Sequence, residues 1–218
     1  MKNKVIITTG LKGGVGKTSL CANFATFFVE QGVPVFVVDA DIQQSLSRHR
    51  KRDLEGNPSA DVPWPVEFLN TTDIETVKNV MNRAKQLQCC VMIDCPGNIQ
   101  DPALRVIYEA ADVAIIPYEL NSDSVDATTM FAKLFKKNFK AKMFFVPNKV
   151  STVFEWRGEV RKAREDAMEA LNGKLGTVTP DMRLTTHLNG YSTIETYNFK
   201  KRAAIRDAFA PIYHFIKK

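Results

Sequence analysis

Apolar residues in this chain come in short unbroken runs rather than in alternation with polar ones. "KVIITTG" (4–10), "VPVFVVD" (33–39), "CCVMID" (89–94), "VAIIP" (113–117) and "KMFFVPN" (142–148) are rich in β-branched or aromatic residues. Unbroken runs of this length suit strands covered on both faces, as in a parallel sheet. Between them, "KTSLCANFATFFVEQG" (17–32), "DIETVKNVMNRAKQLQ" (73–88), "DPALRVIYEAAD" (101–112) and "SVDATTMFAKLFKKNF" (124–139) carry apolar residues at helical spacing. Gly32 reads as a helix stop and Asp73 or Thr72 as an N-cap. The alternation predicts an α/β fold, a doubly wound and mostly parallel sheet with helices on both faces. "RDLEGNPSADVPWPVEFLN" (52–70) reads as a loop leading to a short strand at 66–69. With 218 residues and no internal repeat, a single domain over 1–218 is expected.

Composition narrows the class only a little. No run approaches the ~18 apolar residues of a membrane span. The opening "MKNKVIITTG" is basic and then apolar, but it continues into a glycine-rich loop and reads as a first strand. Cys21, Cys89, Cys90 and Cys95 show no C-x-x-C spacing, which points to buried thiols in a reducing cytoplasm rather than to a metal or iron–sulfur site. Charge changes the picture more. The chain carries +6 overall, yet residues 133–164 hold ten Lys/Arg against Glu155 and Glu159, and residues 200–218 hold six against Asp207. Basic character is thus read as belonging to the C-terminal half, which raises a polyanion as partner.

The candidate chemistry begins in "TTGLKGGVGKTSLCANFA" (8–25). A strand, a glycine-rich turn and then Lys-Thr opening a helix form a phosphate-binding arrangement. Glycines let backbone N–H groups turn inward, and the helix N-terminus favours an anion. Gly13, Gly14, Val15, Gly16, Lys17, Thr18 and Ser19 would cradle the phosphates, with Lys17 on the β/γ-phosphates and the Thr18 hydroxyl on Mg²⁺. Leu11 stands where the general pattern has glycine. Lys12, five positions before Lys17, is one lysine more than a phosphate loop needs.

"KGGVGKTS" resembles the deviant Walker A box of the ParA/MinD family of ATPases, whose signature lysine reaches the phosphates of a partner in a nucleotide-sandwich dimer. The resemblance implies that role for Lys12. It continues in "VVDADIQQSL", where Asp39, Asp41 and Gln43 match the family's second motif and Ile42 replaces its usual proline. Asp41 is implied to position the attacking water. "CCVMIDCPG" matches the Walker B form, with Asp94 toward Mg²⁺ and Gly97 where partition ATPases often have a second proline. Thr18, Asp39 and Asp94 are the expected magnesium residues. "FFVPNKV" places Asn148 at a strand end like the family's adenine-reading asparagine, an amide suited to bidentate pairing with adenine. "TPDMRL" (179–184) is similar to the base-flanking loop and puts Pro180 and Arg183 near the adenine.

The resemblance implies a Mg-dependent ATPase that forms a homodimer with ATP, in the cytoplasm and nucleoid-associated when ATP-bound. Its function would be to segregate or position plasmid or chromosomal DNA or another large cargo. Non-specific DNA and a DNA-binding adaptor, or another ATPase-stimulating protein, are the implied partners. Two rivals stand beside this reading. "AAIRDAFAPIYHFIKK" (203–218) could lie on an anionic membrane in the manner of MinD, although Pro211 is expected to interrupt it. A P-loop ATP-dependent biosynthetic enzyme is the other.

Overall fold

The computed structural model describes residues 3–151, 153, 157–185 and 190–218. The unbroken apolar runs are strands because each has two buried faces to fill. They are β1 (Val5–Thr8), β2 (Val35–Asp39), β4 (Cys90–Asp94), β5 (Val113–Tyr118) and β6 (Lys142–Pro147). Two short strands complete the sheet, β3 (Val66–Phe68) and β7 (Thr177–Val178). The order is β3-β2-β4-β1-β5-β6-β7, and every pairing is parallel.

Successive residues of each strand enter different cores. Val5, Ile7, Val91, Ile93 and Phe145 join the layer under α3 (Ile74–Ala84), α4 (Pro102–Ala110), α5 (Ser122–Asn138) and α6 (Gly158–Leu171). Ile6, Val37, Met92, Ile115 and Phe144 join the layer under α1 (Lys17–Glu30) and α7 (Phe199–Ile216), to which α2 (Ser45–Gly56) adds Leu46. Helices therefore cover both faces, as the doubly wound reading expects. Asp73, one of the two expected caps, accepts from the Glu75 amide at the start of α3.

Three details differ from the sequence reading. The stretch after Arg52 is not loop from its first residue, since α2 continues to Gly56, and the strand inside it spans 66–68. Only Leu46 and Arg50 of α2 are buried, so no apolar stripe announces it. α6 is equally quiet, because it packs through Ala163, Ala167 and Leu171. Pro211 does not break the C-terminal helix. It lies inside α7, where burial of Ile205, Phe209, Ile212 and Ile216 outweighs the ~3 kcal/mol cost of a mid-helix proline. That burial sets these four residues of the stripe in the core, while Tyr213 is half-buried and Phe199 and Phe215 stay exposed. No helix among the described residues is long and apolar enough to cross a membrane. Cys21, Cys90 and Cys95 are buried, Cys89 is half-buried, and all four are free thiols.

Phe209 stacks on Phe24 and meets Phe27 edge-on, which fastens α7 to α1. Phe209→Ala should cost about 3–5 kcal/mol in denaturant unfolding, the range for emptying a buried aromatic site. A loss under about 1 kcal/mol would mean that α7 is not docked there.

Candidate functional site at the C-terminal edge of the sheet

In-register pairing sets Thr8 of β1 beside Asp94 of β4, and Asp94 beside Asp39 of β2. β1 is central, between β4 and β5, at the point where the winding of the sheet reverses, and ligand sites of open α/β sheets form there. The loop from Gly10 to Lys17 leaves β1 at this edge and enters α1 directly.

Gly14 and Gly16 adopt left-handed φ values of +75° and +98°. Gly16 is fixed a second time, because a Cβ there would stand 2.4 Å from the Asn148 side-chain nitrogen. The loop's carbonyls are held by named donors. Lys17 Nζ donates to the Lys12 carbonyl at 3.0 Å, Lys149 Nζ to that of Gly14 at 2.6 Å, and Asn148 Nδ2 to that of Val15 at 2.8 Å. The Lys149 ammonium is itself held by Glu119 at 2.9 Å. In a trans peptide the C=O and the next N–H point opposite ways, so carbonyls drawn toward β6 turn the Val15 and Gly16 amides to the other side. In the sequence Lys149 reads only as one of the basic residues of 133–164 next to Asn148, with no sign of this role.

The carboxylates divide into two kinds. Asp94 is 1% exposed, and burial pushes its carboxyl up to about 7, with the Asp39 and Asp41 charges acting the same way and the Thr18 and Thr8 hydroxyls opposing. Its Oδ1 accepts from Thr8 Oγ1 at 3.0 Å, and its buried Oδ2 has no protein donor. Asp39 is fully buried as well, but both its oxygens are engaged by main chain. Oδ1 accepts from the Asp41 amide at 3.3 Å and Oδ2 from that of Ser47 at 2.8 Å. Asp41 lies at the half-exposed tip of this turn and accepts from the Gln43 amide at 2.9 Å. Lys17 faces Asp94 and Asp41, while its partial burial lowers the ammonium pKa.

An unpartnered buried carboxylate oxygen beside the Thr18 hydroxyl fits a hard cation that keeps most of its water, as Mg²⁺ does. Thr18 and Asp94 are the residues able to hold it. Asp39, expected as a third, pairs in register with Asp94 and accepts from the amides of 41 and 47. No group of three His, Cys, Asp or Glu that could hold a metal alone occurs among the described residues.

The segment after β4 presses on the phosphate loop. A Cβ on Gly97 would lie 2.3 Å from the Gly10 carbonyl oxygen and 3.1 Å from the Leu11 Cα. The glycine in place of a second proline thus has a local reason. Tyr108 of α4 reinforces the contact, its hydroxyl donating to the Pro96 carbonyl at 3.2 Å and pairing with Thr9 Oγ1 at 3.0 Å.

Beside the loop is a cavity of about 320 Å³ that Gly16, Ser19, Asn148, Met182 and Arg183 help to line. Arg183 arrives there because 182–184 runs alongside 147–150, with Met182 N on the Pro147 carbonyl and Leu184 N on that of Val150. A bidentate Arg164–Asp181 pair at 2.7 and 2.8 Å ties this segment to α6. Pro180 is exposed and does not line the cavity. Lys12, Gly13 and Gly14 are exposed at the loop's crest.

Residues 6–171 match the family described as the CobQ/CobB/MinD/ParA nucleotide binding domain. The maintenance of carboxysome distribution protein A of Halothiobacillus neapolitanus is 27% identical over 175 residues, which are 78% of this chain and 74% of that protein. The chain spans about a fifth of other curated relatives that it matches, 22% of one from Erwinia amylovora and 19% of the ATPase GET3C of Arabidopsis thaliana. Among solved structures, the Aquifex aeolicus MinC:MinD cell division protein complex superposes with TM-score 0.73 at 19% identity, covering 99% of this chain and 96% of that one. A plasmid partition protein of Borrelia burgdorferi bound to AMPPNP gives 0.70 at 17% identity, covering 97% and 100%. At such identities the structural likeness is one of fold.

The Asp94 carboxyl yields a pH prediction for the metal-free, nucleotide-free protein. Its folded pKa is raised, so between about pH 4 and 7 the native state holds a proton that the unfolded chain has released. Stability should therefore fall as pH rises through that window and level off above it. Asp94→Asn should flatten the fall, and urea titrations from pH 4 to 8 on both proteins measure the difference. Parallel curves would show that Asp94 is ionised throughout.

Proposed function

The chain belongs to the CobQ/CobB/MinD/ParA nucleotide-binding family, and on that premise we propose that it is a Mg-dependent ATP hydrolase. It dimerises around ATP and segregates or positions DNA or another large cargo. The observation that carries this reading is the contrast between two lysines of one loop. Lys17 is partly buried, faces Asp94 and Asp41, and bonds back to the loop, whereas Lys12 is exposed at the crest. An inward ammonium neutralises charge on the chain's own nucleotide. An outward one supports a role at the phosphates of a second copy. The carboxysome-distribution and plasmid-partition names of two similar proteins favour cargo positioning.

In this reading the amides of Gly13–Ser19 and the Lys17 ammonium bind the phosphates. Thr18 and Asp94 would hold Mg²⁺, which when bound would supply charge neutralisation at the phosphates. Asp39, through its hold on the amides of 41 and 47, fixes the turn from which Asp41 orients water. Lys12 stabilises charge developing at the partner's γ-phosphate. Asn148 has one N–H on the Val15 carbonyl. Its second N–H and its oxygen remain for the Watson–Crick or Hoogsteen edge of adenine, so holding the loop and reading the base are compatible. Arg183 lies at the same cavity. The polyanion partner is DNA of arbitrary sequence, with a DNA-binding or other stimulating protein as second partner and a cytoplasmic, nucleoid-associated location in the ATP state.

Mixing variants tests action across the dimer. Lys12→Ala should bind ATP but lose most hydrolysis, and Asp41→Ala should behave likewise. A mixed dimer has one site with its own Asp41 and the partner's Lys12. An equimolar mixture should therefore recover about a quarter of normal phosphate release. No recovery at any ratio would show that Lys12 serves its own site.

Asn148→Ala separates the two roles of that amide. Affinity for ADP should fall more than affinity for GDP, the shared loss reporting the Val15 contact and the excess reporting the base. Calorimetric titration of both nucleotides measures it, and equal losses would remove Asn148 from base reading.

A further inference from the structure

Several of the basic residues expected to meet a polyanion are engaged within the chain. Arg202 pairs with Glu30 at 2.9 Å and Arg206 with Asp207 at 3.3 Å, and Lys201 is half-buried with its ammonium 5.2 Å from the Tyr197 ring. Lys149 and Arg164 serve the nucleotide site and its flanking segment. Glu155, counted with the 133–164 segment, lies outside the described residues.

α2 turns more of its cations outward. Its inner face is bolted down. Arg50 donates to Thr193 Oγ1 at 2.9 Å, to the Thr193 carbonyl at 2.9 Å and to the Trp64 carbonyl at 2.8 Å. Asp53 accepts from the Thr193 amide and hydroxyl at 2.7 Å each, so its charge is turned inward. The N-terminal turn is held by Asp39 through the Ser47 amide. On the outer face Arg48, Lys51, Arg52 and Glu55 recur at helical spacing and, with Ser45 and Tyr191, line an open groove of about 570 Å³. All four of these helix residues are exposed.

We propose that this outer face of α2, with Tyr191, is a docking surface for the phosphodiester backbone of nucleic acid; the inference rests on the DNA-binding reading above and names a surface for it. Three cations face one carboxylate here, and Arg48 and Arg52 stand one helical turn apart, ~5–6 Å between Cβ atoms; Arg52 can fork onto one phosphate, and Arg48, one of whose nitrogens donates to the Gln43 carbonyl, brings its remaining N–H groups to the next. Tyr191 stacks on His49 of α2, 4.2 Å between ring centroids, which fixes its ring against the helix beside the groove. The groove is lined by no aliphatic side chain, and a helix that enters a bilayer surface needs an apolar face. Nucleic acid is favoured over lipid on that ground. Because Asp39 holds both the Asp41 turn and the start of α2, the docking face is rigidly joined to the nucleotide site.

The test uses the full chain with ATP and a fluorescently labelled duplex of arbitrary sequence, followed by anisotropy across a KCl series. Lys51→Ala/Arg52→Ala should keep ATP binding and basal hydrolysis. It should weaken every duplex alike and reduce the slope of log affinity against log salt by about two per docked protomer. Lys51→Arg/Arg52→Lys should restore binding, which separates charge from any loss of fold. If the alanine pair binds with unchanged affinity and slope while Lys200→Ala/Lys201→Ala loses binding, the α2 assignment is overturned and the DNA reading stands. If the unaltered chain binds no duplex with ATP, the DNA reading fails and this inference with it. Phosphatidylglycerol vesicles form the last arm, and co-sedimentation that depends on Lys51 and Arg52, without duplex binding, would overturn the assignment in favour of lipid headgroups.

Discussion

Parallel pairing of β1, β4 and β2 in one register lines up Thr8, Asp94 and Asp39, and the site hangs from that row. Each residue ends its strand and begins a different working segment. The phosphate loop follows Thr8, the Pro96–Gly97 turn follows Asp94, and the Asp41 turn with α2 follows Asp39. A shift of one residue in any pairing would turn a buried carboxylate to the opposite face of the sheet. The apolar strand interiors that prevent such a shift are remote from the chemistry, yet they determine its geometry.

The phosphate loop is shaped from outside as much as by its own glycines. Lys149 and Asn148, both at the end of β6, take two successive carbonyls. β6 is two strands away from β1, and its neighbour β5 supplies Glu119 just beyond its end to hold the lysine. The loop's conformation therefore draws on the width of the sheet. Three of the loop's carbonyls, those of Lys12, Gly14 and Val15, are thereby held by side-chain donors from within the loop and from beyond β6.

What was legible in the sequence follows from how each element is stabilised. Strands buried on both faces announced themselves through unbroken apolar runs, and Gly14, Gly16 and Lys17 through a loop that only phosphate binding explains. α2 and α6 carried no apolar stripe, since one docks through Leu46 and a hydrogen-bonded arginine and the other through alanines. Pro211 reads as an interruption because local propensity carries no trace of the packing of α7 on α1. The basic run Arg48–Arg52 vanished into the acidic average of the rest of the chain, whereas its exposure on one helical face is visible only in three dimensions. The motif points to Asp39 as a cation residue, and its hydrogen bonds add that it braces main chain.

The meeting of Gly97 with Gly10 and Leu11 is backbone against backbone. Side chains can yield by changing rotamer, but peptide groups in van der Waals contact are nearly incompressible. Such a joint behaves as a mechanical stop. The turn after β4 cannot advance without displacing the phosphate loop, and the loop cannot swell without pushing the turn back. Substitution at Gly97 can only remove clearance, whereas the Tyr108 hydroxyl, bridging the Pro96 carbonyl and Thr9, is a side-chain tie across the joint.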